Sequence, residues 1–340
     1  MTGRITYRMP DGAEIVSESG STVTFSVTIP GDDAGYFGRQ CPSCKRVFRM
    51  HVDDYKALPD DPRLTCPYCR AEDDHSQFFT EQQIERAIGA ATEYANQFIE
   101  ASVDNMFTNL ARRSNARGGA IRWSYSGSSR SRGAPKPLPV ITEEAPIRER
   151  ACDRCGTRYA VFGEHVACPV CGPHPPKTIA TDAFDAQEAV LSVVDHVPSE
   201  VFAQLREAGA LEKTAAGVLG SVVGTVETFL KQTFLARVAG GDTIIAGKGN
   251  VFQRLDDAGQ LFRDNLTIDI PAALGPTDWD RLLVLYGIRH LLTHNNGIVD
   301  AKHLAKFPGK SFLLDQRVAV STADAREALR IARRLVDAVP

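Results

Sequence analysis

The sequence predicts an α+β multidomain chain: two small four-cysteine modules with short strands, followed by an all-α helical bundle. Three observations carry this. All eight cysteines fall into four C-x2-C pairs before residue 172. The alternating run Val23, Phe25, Val27 and Ile29 marks a half-buried strand near the N-terminus. From residue 182 onward, apolar residues recur at helical spacing in one segment after another.

The chain has 340 residues, enough for two or three domains and at least one sizeable core. Its formal net charge of −3 gives no overall field that would draw it to nucleic acid, so any such contact needs a local patch. No apolar run approaches the length of a membrane span. The opening residues are too polar for a signal peptide, so a cytoplasmic location without membrane contact is expected. A reducing cytoplasm keeps thiols free and favours metal binding over disulfides.

The cysteine pairs are Cys41/Cys44, Cys66/Cys69, Cys152/Cys155 and Cys168/Cys171, with 21 residues between the first two pairs and 12 between the last two. A C-x2-C turn brings two thiolates to one side of a tight loop. Two such knuckles together make a tetrahedral all-thiolate site, which suits zinc. Pro42, Pro67 and Pro169 follow the first cysteine of three pairs, and Gly156 and Gly172 follow the second of two. Both residue types belong in knuckle turns. The motifs CPSC…CPYC and CDRC…CPVC resemble zinc ribbons. A closed four-cysteine site has no open coordination position, so two structural Zn2+ ions per chain are expected, and no catalytic metal.

Residues 1–79 read as a β region carrying the first ribbon at about 39–72. Thr80 and Gln83 form a capping box. A long helix follows over 80–112, with Ile84, Ile88, Ala91, Ala95, Phe98, Ile99, Val103, Met106 and Leu110 at helical spacing. Residues 113–147 form a linker rich in Gly, Ser and Pro. Between Arg112 and Lys136 there are seven positive charges and no acidic residue, with Trp123 and Tyr125 among them. Such a stretch is either a solvated linker or an arm in which Arg122, Trp123, Arg130 and Arg132 contact phosphates and stack on bases. The second ribbon spans 148–176. His165 and His174 flank its cysteines and are not needed as ligands; His51, His75, His196 and His303 read as surface residues.

The helical region covers 182–340. Expected helices run from Asp185 to His196, from Ser199 to Ala208, from Leu211 to Val238, from an Asn250 cap through Phe262, from a Thr277-Asp278 cap through His294, and from Thr322 to Val339. The helix from Trp279 to His294 is apolar nearly all round, through Leu282, Leu283, Val284, Leu285, Ile288, Leu291 and Leu292. Such a helix is buried on most sides. Its last turns nevertheless carry Arg289, His290 and His294, whose burial is costly unless they have partners or face a cleft, so they are site candidates. Glu227 lies on the preceding long helix and reads as either a surface glutamate or one that faces this motif.

The stretch RHLLTHNNGIVD, residues 289–300, resembles the motif of HEPN-domain ribonucleases: an Arg, a polar residue, three more residues, then a His. The segment VFQRLDDAGQLF, residues 251–262, is similar to the same branch. The resemblance covers about 182–340. It implies a helical fold that dimerises with two motifs facing each other, and metal-independent RNA cleavage leaving a 2′,3′-cyclic phosphate. On that reading His294 is the general acid or base, Arg289 holds the scissile phosphate, and His290 and Asn295 position the RNA. The family's prevalence in toxin and antiviral defence systems extends that role here as an expectation. The alternatives are a non-catalytic adaptor whose ribbons bind a nucleic acid or a protein partner, and a DNA-binding regulator using the ribbons and the basic arm. Helix geometry adds a constraint. Residues five apart lie ~140° apart around a helix, so one helix cannot easily grip one phosphate with both Arg289 and His294. Either the helix end unwinds at Asn295-Asn296-Gly297, or a second protomer completes the site.

Overall fold

The computed structural model describes residues 7–116, 122–125, 134–142 and 148–339. They form two units: residues 1–162 with 167–172, and residues 163–166 with 173–340.

In the first unit, the alternating N-terminal residues form an antiparallel hairpin of β1 (Ala13–Ser19) and β2 (Thr22–Val27). Gly20 turns the hairpin at φ +61°, where a side chain would be strained. Next come β3 (Tyr36–Gln40), β4 (Val47–His51), α1 (Val52–Lys56), β5 (Arg63–Thr65) and β6 (Glu72–Asp74). Strands β7 (Glu149–Ala151) and β8 (Arg158–Val161) belong to the second cysteine module, yet β8 pairs with β4 through Phe48↔Val161 and Met50↔Tyr159. The result is one four-stranded sheet in the order β3-β4-β8-β7. Strands of the first ribbon, read from sequence at about 39–72, and those of the second, from Glu149 to Val161, therefore share a sheet and a core. Phe37, Phe48, Met50, Leu64, Phe78, Tyr159 and Val161 pack there around the inner cysteines.

Helix α2 (Glu81–Ala116) starts at the predicted capping box: the Gln83 amide donates to Thr80 Oγ1 and the Thr80 amide to Gln83 Oε1, both at 3.3 Å. The hairpin covers one of its faces, where Phe25 meets Tyr94 edge-on at 5.3 Å. The predicted apolar stripe lies elsewhere on the helix and is exposed, reaching 59% at Ile88 and 61% at Leu110.

The second unit is helical: α3 (Pro176–Asp195), α4 (Ser199–Glu207), α5 (Ala210–Arg237), α6 (Gly241–Ile245), α7 (Leu255–Leu266), α8 (Ile270–Leu274), α9 (Pro276–His294), α10 (Ala301–Lys306) and α11 (Thr322–Ala338). Its centre is α3, α5, α9 and α11, with α11 packed on the other three. Helix α3 begins nine residues before the expected Asp185, because Pro176 at its first position has a ring-fixed φ suited to a helix start. The expected Asn250 cap is not formed. Val251–Gln253 make a 3-10 turn, Arg254 is extended at φ −99° and ψ 91°, and α7 starts only at Leu255. Nor do Thr277 and Asp278 cap α9. Gly275 precedes it, and the Asp278 carboxylate instead takes Arg330 at 2.7 and 3.0 Å together with Arg334, tying α9 to α11. His303 is not a surface residue: it is buried, 4.8 Å from both Phe307 and Phe312 by ring centres. Gly287 permits this approach of α10 to α9, since a Cβ there would lie 2.9 Å from His303 Cε1 and closer still to Phe307.

Among the described residues, no helix is long and apolar enough to cross a membrane.

Candidate functional site

Each cysteine pair sits in a knuckle made by the same backbone device. The residue after the second cysteine has a positive φ: Lys45 at 61°, Arg70 at 63°, Gly156 at 74° and Gly172 at 78°. In three knuckles its amide donates to the carbonyl of the first cysteine, from Lys45 to Cys41 (3.0 Å), Arg70 to Cys66 (3.1 Å) and Gly156 to Cys152 (2.7 Å). This reversal turns both thiols of a pair the same way.

The knuckles meet as the sequence predicts. Cys41, Cys44, Cys66 and Cys69 form one cluster and Cys152, Cys155, Cys168 and Cys171 the other, with all sulfurs of a cluster within 4.8 Å. Sγ–Sγ distances are 3.6 Å for Cys41–Cys69, 3.7 Å for Cys44–Cys66, 3.4 Å for Cys152–Cys171 and 3.7 Å for Cys155–Cys168. A disulfide needs ~2.05 Å. A tetrahedron of ~2.3 Å metal–sulfur bonds has edges of ~3.8 Å, close to these values. The amides of Ser43 and Cys44 both point at Cys41 Sγ at 3.4 Å, as an anionic sulfur requires. Burial pushes the Cys66 and Cys168 thiols up, and Cys171 up to about 11. At Cys155 burial pushes upward, but hydrogen bonds from the Thr157 hydroxyl and amide, together with those to Cys171 and Cys168, bring the thiol down to about 7. A divalent cation offsets the cost of gathering four thiolates, two of them buried in each cluster, and deprotonates them. The two clusters can therefore hold metal ions such as zinc. The clusters also touch through the backbone: the Thr65 amide donates to Pro169 O at 2.8 Å and the Ala167 amide to Pro67 O at 3.2 Å. His165 and His174 belong to neither cluster. Both are buried, and His165 Nδ1 lies 3.0 Å from the Asp182 carboxylate.

The second set of polar residues lies at the end of α9. The helix stays regular through His294 and stops in a turn with two left-handed residues, Asn296 and Gly297. Asn296 has φ +49°, the Gly297 amide returns to Leu291 O at 3.0 Å, and Asn295 Nδ2 donates to Ile298 O at 2.6 Å. Asn295 thus helps close the turn. His290 and His294, one turn apart, are exposed and share a face, with ring centres 4.7 Å apart. Burial, then His294, Lys302 and Arg289, hold the His290 pKa below the usual histidine value, against an opposing pull from Asp300. Arg289 points to another face, towards the interior of the unit, and makes no ion pair among the described residues. There it acts electrostatically on Glu227 of α5 and on Tyr286.

Glu227 is the residue that sequence reasoning left open. It is half-buried: burial raises its pKa, while Arg289 and a hydrogen bond from Gln253 lower it. Glu227 Oε1 and the Tyr286 hydroxyl are buried, and neither finds a hydrogen-bond partner among the described residues. The available signal was a lone acid within the apolar run from Val218 to Phe234.

Of the predicted arm, Arg122 and Trp123 are described and exposed, Trp123 at 62%. The side chain of Asn115 holds the Trp123 backbone, accepting from its amide at 2.9 Å and donating to its carbonyl at 2.7 Å. Arg130 and Arg132 lie outside the described residues. Searches of family models, curated proteins and solved structures gave no match to this chain.

Proposed function

We propose that the helical unit is a metal-independent endoribonuclease working as a homodimer, with the two thiolate clusters holding structural zinc in a module that binds RNA or a partner protein. The observation that carries the reading is the end of α9: an exposed histidine pair at 4.7 Å, next to an arginine without an ion pair among the described residues, on a helix whose other side is packed in the core through Leu282, Leu285, Ile288 and Leu291. RNA brings its own nucleophile. One imidazole takes the proton from the 2′-hydroxyl as that oxygen attacks phosphorus. A second imidazole protonates the departing 5′-oxygen, leaving a 2′,3′-cyclic phosphate. Arg289 neutralises the charge that builds on the phosphoryl oxygens. Asn295 gives its amide to Ile298 and keeps its carbonyl oxygen for the substrate.

Because α9 is regular up to His294, Arg289 and His294 of one chain remain on different faces. A second protomer bringing its own α9 end to the same phosphodiester resolves this. Zinc, where bound, crosslinks the knuckles and supplies folding energy to the first unit. A role in host defence follows only from the motif's resemblance.

The test is cleavage of mixed RNA in magnesium-free buffer with EDTA, together with a mass measurement of the oligomer. Cyclic-phosphate ends are expected, with cleavage lost in Arg289→Ala and in His294→Ala while the mass is unchanged. Full activity in either variant would remove the site assignment. Protein that leaves RNA intact but binds it would instead support the adaptor reading.

A further inference from the structure

Helix α2 poses a packing problem. It runs for 36 residues, yet only Gln83 and Ala90 are buried along it. Helices in proteins owe most of their stability to a packed face, and among the described residues nothing covers the apolar face of this one. Ile84, Ile88, Phe98, Ile99, Met106 and Leu110 are each 48–61% exposed. Together with Ala91, Ala95 and Val103 they form one stripe ~40 Å long, at 1.5 Å per residue.

Other segments of the unit lie around the helix elsewhere. Tyr94 meets the hairpin at Phe25, Gln97 Nε2 bonds Arg8 O at 2.7 Å, Arg86 Nη1 bonds Pro139 O at 2.8 Å, and Phe107 stacks on Tyr125. These contact positions point away from the middle of the stripe.

We infer that α2 pairs antiparallel with the α2 of a second copy of this chain, through the apolar stripe. Three features single out this occupant. The exposed area of the large apolar side chains is roughly 750 Å², near the ~800 Å² that each partner gives to a standard interface and above the patch size usual for a monomer. The stripe is also self-complementary in size when reversed about residue 97. Ile84 then meets Leu110 and Ile88 meets Met106, while the small Ala91 and Ala95 meet the large Val103 and Ile99. Finally, the charge at its ends is reversed: Glu81 and Glu85 lie at the start of the helix and Arg112 and Arg113 at its end. Antiparallel pairing sets Glu81 beside Arg113 of the other copy twice over, as two-fold symmetry demands; parallel pairing would stack like charges.

The test uses the full chain. A benzophenone side chain at position 106, in a mixture of isotopically light and heavy protein, is expected to crosslink between copies to residues 84–92. Crosslinks to residues near 106 of the other copy, or none between copies, would overturn the antiparallel pair. With the probe kept at position 106, Ile99→Glu with Leu110→Glu is expected to weaken this crosslink about tenfold or more. Glu81→Arg and Arg113→Glu should each weaken it, and the combination should restore it; no recovery in the combination would overturn the register. Arg289→Ala serves as control and should leave the crosslink unchanged. Failure here is thus distinguishable from failure of the nuclease reading, which is scored on RNA.

Discussion

Glu227 of α5 lies within electrostatic reach of Arg289 of α9, with its carboxylate half-buried and Oε1 lacking a hydrogen-bond partner among the described residues. The two charges influence each other without an ion pair between them among the described residues. Glu227→Gln keeps the shape and removes the charge. Under the nuclease reading, RNA cleavage should fall by about tenfold as Arg289 loses its guide, with thermal stability equal or higher. The sign follows from burial, which raises the folded pKa of Glu227. Its contribution to stability is full below the unfolded value near 4.5 and is lost as pH rises through the folded one. At neutral pH the native state carries a cost that glutamine does not. Unchanged kcat together with a lower melting temperature would show that Glu227 serves only packing.

Two zinc ions per chain are expected from metal analysis, one for each cluster. Because β4 pairs with β8 and the Cys66 and Cys168 knuckles share backbone hydrogen bonds, the clusters should not behave independently. Cys168→Ser is expected to lose one ion outright and to speed chelator extraction of the other. If the remaining ion leaves at the wild-type rate, the sheet does not couple the sites.

The knuckle turns predict small changes of opposite sign. Lys45 and Arg70 occupy left-handed positions that Gly156 and Gly172 fill without strain. Lys45→Gly and Arg70→Gly should each stabilise the zinc-loaded first unit by up to ~1 kcal/mol, and Gly156→Ala should destabilise it by ~1 kcal/mol. A Cβ at Gly156 meets nothing within 4 Å, so only backbone strain is probed. Denaturant melts of the holoprotein decide it.

Gly287→Ala tests the seat of α10. The added methyl would press on Phe307 and His303 Cε1. Overpacking of this kind costs about 1–3 kcal/mol. Serine at the same position should do no better, whereas an α10 that is loosely held would tolerate both substitutions in thermal melts.

Asp278 carries the clearest pH dependence. Hydrogen bonds from Arg330, ahead of the opposing effect of burial and with help from Arg334, hold its carboxyl below the usual aspartate range. Its stabilising effect is therefore present above the unfolded pKa of ~3.9 and is lost as pH falls through the folded value. Asp278→Asn should cost about 1–2 kcal/mol at pH 7 and nothing once pH drops below the folded value, since both arginines are about half exposed and solvent weakens the pair. A penalty that is equal at both pH values would mean that the side chain acts through shape and not charge.

Local signals were legible in the sequence. The C-x2-C spacing fixed which thiols could converge, because a knuckle is made within five residues. Thr80 and Gln83 marked the start of α2, because a capping box is closed by residues three apart. The polar end of α9 stood out for a similar reason: charge within an apolar helix is a local contrast. Tertiary partners decided the rest. Nothing near Glu227 in sequence shows that the charge of Arg289, 62 positions later, will act on it. Asp278 reads as a helix cap until α11 brings two arginines to it. The two ribbons read as separate modules until β8 joins β4, since strand pairing across a hundred residues leaves no mark on either strand alone. The stripe on α2 has the spacing of a buried face, and spacing states only that a helix has an apolar side. What covers that side is set by which surfaces the folded chain brings to it.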